Sequence, residues 1–355
     1  MSKKKVQNAP KKPNNVKLAF LALSILVLLI IIGRLFTFLI SLQKPISSQF
    51  DTGKKYTWNE ISTYNVAFIA NPDSDNPDIS VVSLKPSEGK VVVLHLSPNI
   101  YTELAHAYGN WRLGSVYALG QEEEKPKGAG LLKETLTKML AIPIDGIVIL
   151  PQSTDFNNTE ELVQSFRKNV IPDVLYLSKI ESDLTKWEAI KLYRAVSKVR
   201  ADKLDSLNFE RSTITESKLL PDSSRVLGIN TVRLDLFTRD KLSDPVIVDE
   251  NLSVAIFNAT DKAGIGQDIS RYITNLGGSV VILQNLDQKQ EKSAIVITPS
   301  QQSPDKLKSV TYQRLAQFFA PHCLKTACTL VNPKIDNSRA TINIILGADY
   351  LQESK

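Results

Sequence analysis

One stretch constrains this chain more than any other. Residues 18–42 read LAFLALSILVLLIIIGRLFTFLISL and are apolar apart from Arg34 and a few hydroxyl side chains. At a rise of about 1.5 Å per residue, such a helix can cross a hydrocarbon core of about 30 Å. A buried core helix would show a polar face, which residues 18–32 lack, and a cleaved signal peptide would have a shorter apolar stretch. The sequence therefore predicts a transmembrane helix over residues 18–42.

The flanks of this stretch predict its orientation. Residues 1–17 contain lysine but no acidic residue, so the positive-inside rule predicts a cytoplasmic basic tail, with everything after the helix outside. The lysines are Lys3, Lys4, Lys5, Lys11, Lys12 and Lys17. They account for the formal net charge of +6, so the remainder is close to neutral and its charge is no argument for nucleic-acid binding.

The exported part is long enough for two folded domains. We expect a polar linker at 43–60, a first domain at 61–245 and a second at 246–355. In the first domain, β-branched runs predict strands, of which the second and third are close enough to form a hairpin. These strands are 64–70, 78–84, 90–96 and 145–150, with helices at 130–140 and 184–199 and a strand-rich piece at 225–237.

The second domain alternates strands and helices. Predicted strands cover 252–259, 279–285, 293–299 and 341–347, and helices cover 265–276 and 304–319. This pattern is typical of a small sheet covered by helices, so the predicted fold class of the exported part is α/β (α+β). Gly264 and Gly266 precede or open a helix after a strand, but the third glycine of the dinucleotide fingerprint is missing. A tight turn is the favoured interpretation.

Common catalytic motifs are absent from the sequence. We find no G-x-S-x-G, H-E-x-x-H, P-loop or C-x-x-C pattern, and we predict no metal site. Cys323 and Cys328 are the two cysteines, and outside the cell they could close a small disulfide loop. Two reduced, buried thiols are the alternative. A zinc site is not expected, because zinc would need more ligands than these two thiols and His322.

Two segments give the second domain a recognisable pattern. FNATDKAGIGQDISRYITNLGGSVV and the closing ILGADY resemble the LytR carboxy-terminal domain over about residues 251–351. That domain commonly follows a LytR–CpsA–Psr catalytic domain in membrane-anchored proteins that face outward. The resemblance therefore implies an envelope protein and directs attention to residues 61–245.

The first domain resembles the LytR–CpsA–Psr domain in part. DISVVSL (78–84) is similar to the family's aspartate-bearing strand and places Asp78 on its metal-associated aspartate. LSPNIY (96–101), RLGSVY (112–117) and IPIDGIVIL (142–150) resemble three further family segments. In the family, arginines hold a polyprenyl pyrophosphate and acidic residues hold Mg²⁺ during glycan transfer. Here Asn99 and Ile100 replace an Arg-Asp pair and Gly114 replaces an asparagine, although Arg112 could still face a phosphate.

These departures favour a degenerate site that binds or scaffolds in cell-wall assembly without a cofactor. The alternative is a divergent, Mg²⁺-dependent phosphotransferase whose catalytic residues would be Asp78 and Arg112, with Arg167 or Lys168 as further candidates. The expected partners are the bilayer and either a cell-wall glycan or a polyprenyl-phosphate lipid. Transcriptional regulation is a third interpretation, but a body outside the cell would exclude contact with DNA.

Overall fold

The computed structural model describes residues 15–47, 58–122, 127–150, 181–298, 303–319 and 338–353. The chain forms two compact units, Met1–Lys44 and Pro45–Lys355. In the first unit, helix α1 spans Asn15–Leu42, and in the described part of the chain it is the one helix long and apolar enough to cross a membrane. Its side chains from residue 19 to residue 40 are exposed, as expected of a helix whose solvent is lipid.

The second unit begins with a mixed sheet of six strands in the order β7-β6-β1-β2-β3-β8. These strands are β1 (Tyr64–Ala70), β2 (Asp78–Lys85), β3 (Lys90–Leu96), β6 (Gly146–Leu150), β7 (Glu181–Ser182) and β8 (Leu204–Asn208). Strand β2 pairs antiparallel with both β1 and β3, which confirms the predicted hairpin. Strand β6 runs parallel to β1, and β8 runs parallel to β3.

Both faces of this sheet are covered, which explains why its central strands are mostly apolar rather than alternating apolar and polar. One face packs against helices α2 (Val116–Gln121) and α3 (Gly128–Leu140), and the other against α4 (Lys186–Val196). Two short antiparallel pairs complete this part of the chain. They are β4 (Tyr101–Glu103) with β5 (Asn110–Arg112), and β9 (Thr215–Leu219) with β10 (Arg225–Ile229).

The prediction of strand over 225–237 is wrong for its second half. Strand β10 ends at Ile229, and helix α5 covers Thr231–Lys241. The side chain of Asn230 accepts a hydrogen bond from the N–H of Arg233 and so caps the helix. Leu234 and Thr238 are both buried, and this spacing of four residues fits one face of a helix.

Part of the predicted linker 43–60 packs on the body. The N–H of Ile46 donates to the carbonyl of Leu184 at 2.8 Å, and the N–H of Ser47 donates to that of Ser182 at 3.3 Å. Trp58 is fully buried, and its indole N–H donates to the carbonyl of Ser62. Residues 48–57 lie outside the described residues, as do most of the basic tail and the disulfide candidates Cys323 and Cys328, so those predictions stay predictions.

The rest of the unit contains a four-stranded sheet in the order β12-β11-β14-β13. Its strands are β11 (Ser253–Asn258), β12 (Ser279–Asn285), β13 (Ala294–Ile297) and β14 (Ile342–Leu346). Its helices are α6 (Pro245–Glu250), α7 (Ile265–Leu276), α8 (Pro304–Lys308), α9 (Val310–Phe319) and α10 (Ala348–Glu353). Gly264 has a φ of 84° immediately before α7, which agrees with the tight-turn interpretation. With its mixed sheets and helices, the chain has the predicted α+β class.

A buried ion pair joins two parts of this unit, the part around the six-stranded sheet and the part around the four-stranded sheet, which are called the first and second domain below. Arg314 on α9 contacts both carboxylate oxygens of Asp145, at 2.5 and 3.0 Å, and also donates to the carbonyl of Thr63 at 3.0 Å. The side chains of Arg314 and Asp145 are only 1% and 2% exposed. Asp145 also accepts the N–H of Asn65 at 2.9 Å, so its charge is well satisfied within the protein.

A second contact between these domains lies at the carboxyl end of α3. Arg271 on α7 donates to the carbonyls of Lys138 and Met139, and its Nε lies 2.8 and 2.9 Å from the carboxylate oxygens of Asp235 on α5. Asn275, one helical turn further on, also donates to Asp235 at 2.9 Å. A cation is favourable at this end of a helix because the last carbonyls have no partner within the helix.

Candidate functional site

The predicted site residue Asp78 lies at one end of the six-stranded sheet. It is the first residue of β2, partly exposed, and is paired in register with Ala70, the last residue of β1. The loop between these strands starts at Asn71, whose N–H donates to the carbonyl of Leu150 at the end of β6. Asp78 therefore lies at the edge where the parallel strands β1 and β6 both end.

The turn after β3 carries two of the departures from the family pattern. The N–H of Ile100 donates to the carbonyl of Ser97 and closes the turn, and the carbonyl of Ile100 accepts the N–H of Leu113 at 2.8 Å. The side chain of Ile100 is fully buried in the larger apolar cluster of the domain, whereas Asn99 is exposed. A carboxylate at position 100 would be buried among apolar groups, at a high cost in free energy.

Gly114, the third departure, lies against two proline rings. A Cβ atom at position 114 would lie 2.7 Å from the Cβ of Pro98 and 3.3 Å from the Cδ of Pro77. The N–H of Gly114 donates to the carbonyl of Pro98 at 2.9 Å, which fixes this close approach. The backbone leaves no room here for an asparagine side chain. The same contact brings the segment that ends at Asp78 beside the segment that begins at Arg112.

Arg112 is the last residue of β5 and is half-buried. Asp222 lies in the turn between β9 and β10. Hydrogen bonds from the backbone and side chain of Ser224 lower the pKa of Asp222, and the positive charge of Arg112 lowers it further. The hairpin that carries Asp222 is held in place by the N–H of Leu227, which donates to the carbonyl of Asn99 at 3.0 Å.

Sequence reasoning did not select Asp222, nor the carboxylates around Tyr117. Burial raises the pKa of Tyr117, a hydrogen bond with Gln121 lowers it, and the negative charges of Glu181 and Asp73 raise it. Among the described residues, no group of three or more His, Cys, Asp or Glu side chains is arranged to hold a metal ion.

An exposed aromatic residue, Trp111, comes directly before Arg112 in the chain. Trp111 on β5 is 45% exposed, and its indole N–H donates to the carbonyl of Tyr108 at 2.9 Å, which fixes the ring. The loop before it also carries His106, which contacts Glu134 on α3. Successive side chains of a strand point to opposite faces, so the exposed indole and the guanidinium of Arg112 offer separate apolar and cationic contacts on the two faces of the β4–β5 pair.

The motif residues of the second domain have structural tasks. The Oδ1 atom of Asn258 accepts hydrogen bonds from the N–H and the hydroxyl of Thr260, at 3.0 and 2.7 Å, and so shapes the turn after β11. Asp349 accepts the N–H and hydroxyl of Ser293 at 2.8 and 2.7 Å. A side chain on Gly347 would meet the backbone of Lys292. The motif therefore specifies turns and close backbone contacts.

Together, the fold and the site define an α+β protein with an apolar amino-terminal helix. Residues 251–350 match the LytR_C family, described as LytR cell envelope-related transcriptional attenuator. The carboxy-terminal domain is a LytR_C domain, as the resemblance predicted.

Several solved structures are similar to the chain. TagV from Bacillus subtilis is 13% identical, with 50% of this chain and 95% of TagV covered and a TM-score of 0.39. TagT from Bacillus subtilis is 13% identical, with 53% of this chain and 93% of TagT covered and a TM-score of 0.37. TagT bound to LIIa-WTA is 11% identical, with 54% and 96% covered and a TM-score of 0.39. A comparison with curated proteins gave no match.

Proposed function

We propose that this protein is anchored in the membrane by α1, with its Lys-rich end in the cytoplasm and its body outside. There it takes part in cell-wall polymer assembly by binding or scaffolding. The apolar, exposed α1, the lysines that precede it and the match of residues 251–350 to a cell-envelope family support this proposal. A body in that location would have no contact with DNA.

The observation that carries the non-catalytic part is exposed Asn99, which stands where the resemblance implies an arginine, together with the packing at positions 100 and 114. Transfer of a glycan from a pyrophosphate needs positive charge to stabilise the leaving group. Ile100 is fully buried among apolar side chains, and Gly114 is pressed against Pro98. The polar side chains that the resemblance implies at positions 100 and 114 would not fit this packing.

The proposed binding surface is the rim of the domain formed by the β4–β5 pair, with Trp111 on one face and Arg112 on the other. Trp111 offers an apolar ring at fixed orientation, and Arg112 offers a positive charge. A cell-wall glycan or a polyprenyl-phosphate lipid has the matching chemistry, with sugar or isoprenoid faces next to phosphate groups.

The decisive experiment uses the full chain in proteoliposomes. These would be supplied with a lipid-linked glycan and peptidoglycan, in Mg²⁺ or in EDTA. We expect the glycan lipid to bind without transfer, and we expect Trp111→Ala to weaken binding more than Trp187→Ala, which changes an exposed tryptophan elsewhere on the body. Mg²⁺-dependent transfer to peptidoglycan would show that the non-enzymatic proposal is wrong.

The membrane orientation needs a separate measurement. Single cysteines would be placed in the basic tail and in the body of a variant that lacks Cys323 and Cys328. A thiol reagent that does not cross membranes should then label the body in intact cells and the tail only after lysis. The reverse pattern would overturn the proposed location.

A divergent phosphotransferase is the second candidate, since the contact of Gly114 with Pro77 brings the segments of Asp78 and Arg112 together. In that case Asp78→Ala and Arg112→Ala should each abolish Mg²⁺-dependent transfer. Asp75→Ala, in the exposed loop before β2, is the matched control and should leave transfer unchanged. Arg167 and Lys168 lie outside the described residues.

A further inference from the structure

The outward face of α4 combines aromatic, aliphatic and basic side chains. Trp187 is 43% exposed, and Ile190, Arg194 and Lys198 follow it at intervals of three or four residues, so that they lie along one side of the helix and the turn after it. The single acidic residue of α4, Glu188, is buried. The outward face of α4 is therefore amphipathic and positively charged.

The inner side of α4 is held firmly, so this outward face has a fixed direction on the body. Thr185 and Glu188 form a capping box at the start of the helix. Glu188 also accepts the hydroxyl of Tyr64 at 3.1 Å, and Lys191 donates to the carbonyl of Trp58 at 2.8 Å. These contacts fix both the start and the middle of the helix against the strand β1 side of the domain.

The chain itself connects the start of α4 to the membrane segment. Pro45 pairs with Thr185, the N-cap of α4, and the next residue, Ile46, hydrogen-bonds to Leu184. Only Gln43 and Lys44 separate Pro45 from Leu42, the last residue of the candidate span. Three residue steps of extended chain reach at most about 11 Å.

We propose that the outward face of α4 docks on an anionic lipid surface, that of the bilayer which holds α1. This inference rests on the proposed membrane anchoring. Tryptophan favours the headgroup level of a bilayer, and Arg194 and Lys198 are attracted to anionic headgroups. A short tether gives an effective concentration in the millimolar range, so even weak lipid affinity keeps the face docked.

The test uses the full chain reconstituted in vesicles that contain phosphatidylglycerol and brominated phosphatidylcholine, whose bromine atoms quench nearby tryptophans. We expect quenching in the wild type and the loss of most of it in Trp187→Phe. Trp111→Phe is the matched control, because Trp111 is equally exposed but lies on β5, and these vesicles hold neither the glycan nor the polyprenyl-phosphate lipid proposed to bind there, so this variant should retain the quenching. Equal quenching in wild type and Trp187→Phe would overturn the proposal.

The role of charge is tested with Arg194→Glu/Lys198→Glu, in which both side chains are exposed and the fold should persist. We expect reduced quenching in this variant, in vesicles without phosphatidylglycerol, and at high salt. Quenching that stays unchanged in the double variant, without phosphatidylglycerol and at high salt would overturn the assignment to anionic lipid.

Flotation of the same vesicles separates the two proposals. If the full chain does not float with the lipid, the membrane anchor itself is wrong. If the chain floats but Trp187 is not quenched, the anchor stands and the docking of α4 is wrong.

Discussion

The pair between Arg314 and Asp145 offers the sharpest test of how the two domains hold together. Replacement of Arg314 by methionine keeps much of the side-chain volume but removes the guanidinium. The carboxylate of Asp145 then keeps the N–H of Asn65 as a partner but loses two charged contacts, and the carbonyl of Thr63 loses its bond as well. Removal of one member of a buried pair costs about 3–5 kcal/mol.

A second substitution tests the cause of this cost. In Arg314→Met/Asp145→Asn the buried charge is gone, and the amide oxygen can still accept the N–H of Asn65. We therefore expect the double variant to be more stable than Arg314→Met alone. The matched control is Arg200→Met. Arg200 pairs with Asp202 at a similar distance of 2.9 Å, but these side chains are 80% and 58% exposed, so the expected cost is below about 1 kcal/mol.

The measurement is urea unfolding of the full chain in detergent, followed by tryptophan fluorescence, with Trp58 as the buried reporter. The midpoint should fall strongly in Arg314→Met, hardly in Arg200→Met, and recover in part in the double variant. A cost below about 1 kcal/mol for Arg314→Met, or costs that simply add in the double variant, would refute the reasoning that an unpaired buried charge is the cause.

Three further predictions concern packing and pH. Gly114→Ala should cost about 1–3 kcal/mol in urea unfolding because its methyl group would press on a rigid proline ring, whereas Gly228→Ala, with no neighbour closer than 3.7 Å, should be close to neutral. Burial raises the pKa of Asp244, so the native state binds more protons than the unfolded state, and the free energy of unfolding falls as the pH rises through that raised pKa. Asparagine does not titrate, so urea unfolding at a series of pH values should show Asp244→Asn becoming more stable relative to the wild type as the pH rises from about 4 to neutral. The hydrogen bond from Lys90 lowers the pKa of Asp205, so Asp205→Asn should cost less than about 1 kcal/mol at pH 7, and that cost should vanish once acid protonates the carboxylate.

The periodic apolar patterns predicted most of the elements, for physical reasons that particular residues make clear. Strands β1, β2 and β3 are buried on both faces, so they appear in the sequence as mostly apolar runs with a few small or hydrogen-bonding polar residues. The segment 231–237 was wrongly predicted as strand because its apolar residues alternate locally as in a strand. The segment is a helix that begins after the N-cap Asn230. That cap was a readable signal, since asparagine is among the favoured N-cap residues.

The candidate site was predictable only in part. Asp78 and Arg112 were selected from the resemblance, and the structure does bring their segments together through Gly114 and Pro77. Asp222 could not be selected, because the sequence does not show that the β9–β10 hairpin lies against the turn after β3, where the N–H of Leu227 donates to the carbonyl of Asn99. Contacts of this kind follow from tertiary packing and leave no pattern in the sequence.

The contact between the two domains could not be predicted from the sequence either. Arg314 lies in the predicted helix 304–319, and Asp145 precedes a strand in a segment that resembles a family motif. Neither residue signals burial on its own, because charged residues are rarely buried unless they are paired. The burial of Arg314 and Asp145 is explained only by the ion pair that forms between these distant segments.

The departures from the family pattern depend on each other, which bears on how the site could be changed. The carbonyl of Ile100 accepts the N–H of Leu113, and the carbonyl of Pro98 accepts the N–H of Gly114, so the two segments are joined by consecutive backbone bonds. This close approach requires glycine at 114, and it buries the side chain at 100. Restoring one polar residue alone would therefore strain or open the turn before it could bind a phosphate. Exposed Asn99 is the exception, since an arginine there would meet solvent, and Asn99→Arg is the one reversion that the packing allows.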